Sequence, residues 1–248
     1  MVLMIRKKYI ASVSFGKDSV AMLLMLIEKK CPLDEVMFYD TGMEFDAIYH
    51  VREQIMPILR ENNISYTELK PEKPFLYDML ERPVYSKQKG HHYGYGWCGG
   101  LCRWGTTNKL KALDGYAKTE NAIVYIGLAV YEPKRLIRMA DFKQAPLAEW
   151  NITEAEALAY CRSRGIRWNE NGVDLYDILD RVSCWCCCNK NKKELCNIRK
   201  YLPGYWAKLM ELQSRIERPM KKFRTDAKFG DLGNIINFEN YLKVSDKE

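Results

Sequence analysis

The chain has 248 residues, a length suited to one α/β domain of ordinary size with a small appended module. At 47% hydrophobic and 29% charged it reads as globular, and its longest apolar run, around residues 20–27, is too short to cross a bilayer. Thirty-nine basic against 32 acidic residues leave a formal charge of +7, which permits a nucleotide or nucleic-acid partner without requiring one.

The opening "MVLMIRKKYI" has no apolar stretch followed by a small-residue cleavage site, so a cytoplasmic location without a membrane partner is expected. Residues 8–13 predict a buried strand and 19–29 a helix. "DEVMFYDTG" predicts a second strand centred on residues 36–39. "EFDAIYHVREQIMPILREN" is amphipathic at helical spacing, and "ISYTEL" is a third strand. This alternation predicts a doubly wound, mostly parallel α/β sheet of the Rossmann-like kind. Residues 70–105 then break the pattern with prolines, glycines, two histidines and aromatics, as a long functional or mobile loop. "TTNKLKALDGY" predicts a short helix capped by Thr106 or Thr107. Residues 121–130 predict a late strand, and Thr153 with Glu156 has capping-box spacing. Beyond the cysteine cluster, "KELCNIRKYL" and "GYWAKLMELQSRIE" predict helices broken at Pro203, and the last ten or so residues are expected to fray. The expected organisation is a nucleotide-binding domain over residues 1–180 and a cysteine-rich helical part, 181–248, packed on it.

The junction "SVSFGKDSVAML" concentrates anion-binding chemistry where the first strand becomes the first helix. Backbone N–H groups and the helix dipole point outward at such a turn. Ser14 and Ser19 add hydroxyl donors, Lys17 a point charge, and Gly16 is expected to take a positive φ so that a phosphate can approach. A Walker A loop is excluded, because position 11 is alanine and position 18 is aspartate; a GxGxxG dinucleotide turn is excluded by the single glycine. The remaining pattern, S-x-G-x-D-S, resembles the pyrophosphate-binding loop (PP-loop) of the adenine nucleotide α-hydrolase superfamily. Phe15 stands where that pattern has glycine, a departure shared with the branch of phosphoadenosine phosphosulfate (PAPS) reductases. "FYDTGMEF", "GLAVYEPKRL", the segment from "APLAEW" to "SRGI", and "CWCCCNKNKKELCNIRKYLPGYW" are similar to further blocks of that family in the same order.

The resemblance implies a site for an adenine nucleotide, ATP or PAPS, with Mg²⁺. Ser14, Phe15, Gly16, Lys17, Asp18, Ser19, Asp40, Thr41, Gly42, Gly127, Glu132 and Arg135 would line it, with Lys17, Asp18 and Arg135 in catalytic roles. Asp18 and Asp40 would bracket the metal ion, or Asp18 would turn inward as a helix cap, and Arg135 would neutralise a leaving pyrophosphate or a sulfate.

Nine cysteines in a chain without a secretion signal argue against a disulfide framework. Cys31 and Cys161 stand alone and read as structural thiols. Cys184 and Cys187 form C-x-x-C, and Cys98 and Cys102 are a helical turn apart. Four thiolates from two distant segments suit a tetrahedral metal or a cubane cluster; the resemblance to the cluster-carrying reductases implies a 4Fe-4S cluster, with Zn²⁺ or unligated thiols as the alternatives. The ligand set is Cys102, Cys184 and Cys187 with either Cys98 or Cys196; His91 and His92 read as loop residues as readily as ligands.

Three functions follow. The first is a PP-loop enzyme that cleaves an adenylyl anhydride in sulfur transfer or acceptor adenylation, toward a nucleic acid or a sulfur carrier. The second is a genuine reductase of PAPS or adenosine phosphosulfate, although the family's C-terminal cysteine tail has no counterpart here. The third is a non-catalytic nucleotide- or nucleic-acid-binding module that stacks bases on Tyr93, Tyr95, Trp97 and Trp104. Oligomerisation is left open.

Overall fold

The computed structural model describes residues 6–98, 102–218, 220 and 235–245. The chain runs through β1 (Lys8–Ser12), α1 (Lys17–Glu28), β2 (Glu35–Tyr39), α2 (Asp46–Glu61) and β3 (Ser65–Leu69). A π-helical turn, Tyr77–Glu81, then leads to the hairpin strands β4 (Pro83–Ser86) and β5 (Gly90–Tyr93). A second π-helical turn, Arg103–Asn108, continues into α3 (Lys109–Thr119), followed by β6 (Ala122–Ile126), α4 (Pro133–Leu136), β7 (Lys143–Gln144), α5 (Pro146–Glu149) and α6 (Glu154–Ser163). Short strands β8 (Asn169–Glu170) and β9 (Val173–Asp174) precede α7 (Leu175–Ile178), α8 (Lys192–Tyr201), α9 (Pro203–Arg215) and α10 (Ile235–Ser245). No helix among the described residues is long and apolar enough to cross a membrane.

Two compact units emerge, neither a single stretch of chain. The first holds Glu44–Lys70, Asn108–Asn169 and the described residues up to Asp40; the second holds Thr41–Met43 with the described parts of Pro71–Thr107 and Glu170–Glu248. The described residues of 71–107, together with residues 170–180, fall in the second unit, whereas the sequence reading groups them with residues 1–70.

The first unit is the expected doubly wound sheet, in the order β3-β2-β1-β6-β7 with every neighbour parallel. All five residues of β2 are buried, as befits an inner strand covered on both faces. On one face Ile10, Met37, Tyr39 and Val124 pack with Leu113 and Ala117 of α3. α1 buries Val20, Met22, Leu23 and Leu26 and packs against α5 and α6. Strand order reverses between β1 and β6, so the chain leaves their C-terminal ends in opposite directions and opens a crevice there.

The second unit packs α9 against α8 and α10 around Leu195, Ile198, Trp206 and Leu209. Helix α8 stops at Leu202 and α9 restarts with Pro203 in its first turn, where the missing N–H costs nothing.

Four local expectations change. The long loop carries a π-helical turn and a hairpin whose strands alternate exposed and half-buried residues. The late strand stops at Ile126. Thr106 and Thr107 do not cap α3: they sit inside the preceding π-helical turn, and both amides donate to the Cys102 carbonyl at 3.2 and 3.1 Å. The C-terminal segment is helical to Ser245 because Glu239 anchors it, accepting from Arg199 at 2.8 Å and from the Trp206 indole at 2.9 Å.

Candidate functional site

The turn from β1 into α1 is held by its own serines. Ser19 Oγ accepts from the Ser14 amide at 3.2 Å, lies 3.3 Å from Ser14 Oγ and donates to the Gly16 carbonyl at 3.0 Å. No side chain caps the N-terminus of the helix that follows β1. The residue in the left-handed region is Phe15, with φ 56°, whereas Gly16 is extended at φ −81°. The expected positive φ therefore falls one residue early, on a bulky side chain. Phe15 is fully buried, meets Phe38 edge-on at 5.1 Å, and its carbonyl accepts from the buried Trp168 indole at 2.7 Å. These contacts hold a conformation that costs a non-glycine residue about 1–3 kcal/mol.

Lys17 is buried, and its ammonium bridges Asp18 Oδ1 and Glu154 Oε2, each at 2.8 Å. Burial pushes the Asp18 carboxyl above the usual carboxylate range; Lys17 opposes that shift, while the nearby Glu154 and Glu132 add to it. The end of β6 approaches closely: a Cβ on Gly127 would lie 2.8 Å from both N and Cα of Ser19. Glu132 precedes α4 and forms an ion pair with the largely exposed Arg135.

Not every predicted residue converges on this turn. Asp40 accepts from the Tyr49 hydroxyl at 2.7 Å and lines a separate recess of about 500 Å³ with Arg52, Arg60, Tyr66, Glu68 and Lys70. Thr41 and Gly42 pack in the second unit, where buried Thr41 Oγ1 lies 3.6 Å from Cys184 Sγ.

In that unit Cys98, Cys102, Cys184, Cys186, Cys187 and Cys188 line one cavity of about 450 Å³ with Trp97, Trp104 and Lys190. The Cys102 and Cys184 thiols converge on Gly105: a Cβ there would lie 3.5 Å from one and 3.9 Å from the other. Cys188 Sγ donates to the Cys98 carbonyl at 3.1 Å. A hydrogen bond from Cys102 pulls the Cys98 thiol down to about 6, while the same bond and burial raise Cys102, so the pair favours one shared proton. Cys196 lies on α8 and is not part of the cavity wall. His91 and His92 lie on β5, also away from it. Among the described residues no group of three or more His, Cys, Asp or Glu is arranged to hold a metal ion.

Sequence reasoning missed two members of these sites, Glu154 and Lys190, and gave a third, Trp97, a base-stacking role instead of a place in the cavity wall. Glu154 reaches Lys17 from 137 residues away, without a motif to mark it. Lys190 is 2% exposed, and burial lowers its ammonium pKa while the surrounding thiols oppose that; a lysine three residues beyond C-x-x-C was the available signal. The Trp97 indole N–H is buried with no hydrogen-bond partner. Cys161 is structural as expected: burial pushes its thiol up to about 12, and it donates to the Lys17 carbonyl.

Parallel sheet, strand-order reversal between β1 and β6 and a β1–α1 turn without a side-chain cap define an α/β domain of the doubly wound class. Residues 8–75 match the phosphoadenosine phosphosulfate reductase domain family, which bears out the PAPS-reductase-like, PP-loop resemblance over that stretch. Among curated proteins, the uncharacterized protein MJ0066 of Methanocaldococcus jannaschii is 23% identical over 215 residues, 82% of this chain. The chain spans 41% of that relative's length. Among solved structures, the U34-tRNA thiolase NcsA of Methanococcus maripaludis, determined with its 4Fe-4S cluster, is 16% identical with a TM-score of 0.48, covering 86% of this chain and 73% of its own. NMN synthetase of Francisella tularensis is 15% identical with a TM-score of 0.35, covering 82% of this chain and 87% of its own.

Proposed function

We propose that this chain is a PP-loop enzyme that binds an adenine nucleotide against residues 14–19 and Gly127 and breaks a phosphate anhydride, in sulfur transfer or acceptor adenylation. The observation that carries the reading is the uncapped turn at the β1/β6 switch point, approached by the β6 end at a residue that tolerates no side chain. An acceptor oxygen or nitrogen attacks the α-phosphorus, the bond from that phosphorus to the bridging oxygen breaks, and pyrophosphate leaves with the electron pair. The α1 amides and helix dipole take up the charge that develops on the leaving group. Asp18 has the role of meeting the Mg²⁺ that travels with the nucleotide: a cation offsets the burial that raises its carboxyl. Arg135, on a short exposed helix and ion-paired with Glu132, would exchange that partner to supply positive charge to the outer phosphates.

The second-unit cavity has the donor chemistry for a thiolate-held cluster, although among the described residues its thiols are not already arranged around a metal ion. It is far larger than one ion needs, its wall carries six cysteines, and a buried ammonium and an unpartnered indole N–H complement an anionic, sulfur-rich group. Cys98, Cys102, Cys184 and Cys187 would hold it, Cys98 rather than Cys196 because Cys98 is in the wall. When bound, a 4Fe-4S cluster supplies iron that can carry sulfur.

Anaerobic purification with iron, sulfide and zinc analysis, followed by assays with ATP and with PAPS, tests both parts. Iron with sulfide and pyrophosphate release from ATP are expected. Asp18→Ala should lower turnover on the order of 10²-fold or more with the circular dichroism spectrum retained. Sulfite release from PAPS with thioredoxin would instead establish the reductase reading. Failure of either nucleotide to bind overturns the site.

A further inference from the structure

The β4–β5 hairpin presents a face that nucleotide binding does not use. In its antiparallel register Tyr85 stands opposite His91 and Pro83 opposite Tyr93. Alternate positions of a strand share a face, so these four residues project together. All four are exposed, Tyr85 at 66% and Tyr93 at 76%, and the Tyr85 and His91 rings lie 5.1 Å apart. Val84 and His92 point the other way and are half-buried. Of the aromatics expected to stack bases, Trp97 and Trp104 are buried in the cysteine cavity; the available platform is instead Tyr85, His91 and Tyr93.

The hairpin segment itself carries charge of one sign, with carboxylates only at its margins, Asp78 at the base and Glu217 at the turn. Residues 82–93 include Arg82, Lys87, Lys89, His91 and His92 and no carboxylate. Lys87 and Lys89 occupy the exposed turn. Lys89 meets Glu217 at 2.6 Å, an exposed pair of small energetic weight that a polyanion displaces readily. Arg82 is anchored at the base, bonding Asp78 at 3.0 Å.

The platform is also rigid. Gly94 donates to the Arg82 carbonyl at 2.8 Å, Tyr95 to Asp78 at 3.1 Å and Gly96 to Met79 at 3.0 Å, which ties the hairpin to the π-helical turn. Gly94 has φ 67°, and a Cβ there would fall 2.2 Å from the Met79 carbonyl oxygen, so the seat accepts only glycine. A preformed aromatic surface loses little conformational entropy when a ligand settles on it.

We propose that this hairpin is a docking surface for single-stranded nucleic acid: Tyr85, His91 and Tyr93 stack unpaired bases, and Lys87 and Lys89 meet the phosphates. Aromatic faces accept any unstacked base, whereas duplex bases are hidden from a flat ribbon. A second copy of the same basic face would repel the first, and the face carries no aliphatic side chain to enter a lipid surface. The inference goes beyond the nucleotide reading and stands without it.

The test is fluorescence anisotropy of the full chain with labelled single-stranded RNA and DNA of mixed sequence, and with the matching duplex, across a salt series. Single strands should bind more tightly than duplex. Tyr85→Ala with Tyr93→Ala should weaken single-strand binding about tenfold or more, from stacking of roughly 1–3 kcal/mol per base. Lys87→Gln with Lys89→Gln should flatten the log–log salt slope by about 1.4, from roughly 0.7 per phosphate. Circular dichroism spectra and urea unfolding midpoints should be unchanged in both variants, which verifies the fold independently of the nucleotide site. Wild-type affinity in the tyrosine variant, or no preference for single strands, overturns the proposal. So does a tyrosine variant that changes only the self-association seen in sedimentation.

Discussion

Phe15 sets two energies against each other. Its left-handed backbone costs about 1–3 kcal/mol, which glycine would relieve. Its fully buried ring, packed on Phe38, is worth more, since deleting a buried Phe costs about 3–5 kcal/mol. Phe15→Gly is therefore expected to destabilise by about 2 kcal/mol net, read from urea unfolding, and to loosen nucleotide binding because the turn loses its anchor. Unchanged or higher stability would mean that backbone strain outweighs the ring. Lys17, with Asp18 and Glu154 both on its ammonium, also ties the helix start to α6.

At the scale of elements, the turn works because β6 and α1 touch. Gly127 leaves no room for a methyl group against Ser19 N and Cα, and backbone on the opposing side cannot rotate away as a side chain would. Gly127→Ala is expected to cost about 1–3 kcal/mol, as overpacking does, and to lower nucleotide affinity at least tenfold by displacing the first turn of α1. Calorimetric titration with ATP checks this; wild-type affinity would show that the β6 end is not part of the site. Helix α6, which brings Glu154 to Lys17, starts at the predicted capping box: the Glu156 amide donates to Thr153 Oγ1 at 3.2 Å, and the Thr153 amide to Glu156 at 2.8 Å.

Across the whole molecule, acid stability depends on buried carboxylates tied into the sheet. Burial would raise Glu35, but Lys8, Thr67 and Tyr116 together hold it below its ordinary value of 4.5. A carboxyl lowered by folding contributes stability that is complete above about 4.5 and lost as pH falls through the lowered folded value. Glu35→Gln should lose about 2 kcal/mol near neutral pH, the worth of hydrogen bonds to a charged group, and should show a flatter decline toward about pH 3. Trp168 fluorescence during urea unfolding reports it, since that ring is fully buried in the first unit. An equally steep acid decline in the variant would remove Glu35 from the account.

The fold of the first unit was legible in the sequence because its signals are local. Apolar runs of strand length alternate with helical periodicity, and the residues of the β1–α1 turn are contiguous. The capping box and the break at Pro203 are likewise set by neighbours in the chain. The tertiary structure decided what depends on residues far apart: that Glu154 closes on Lys17, that Thr41 belongs with Cys184 while Asp40 stays with the sheet, and that six cysteines with Trp97 and Lys190 share one cavity. It also decided which aromatics face water. Periodicity marks a residue as apolar or aromatic, but only packing determines whether a neighbour covers it, and so Trp97 is buried while Tyr93 is exposed.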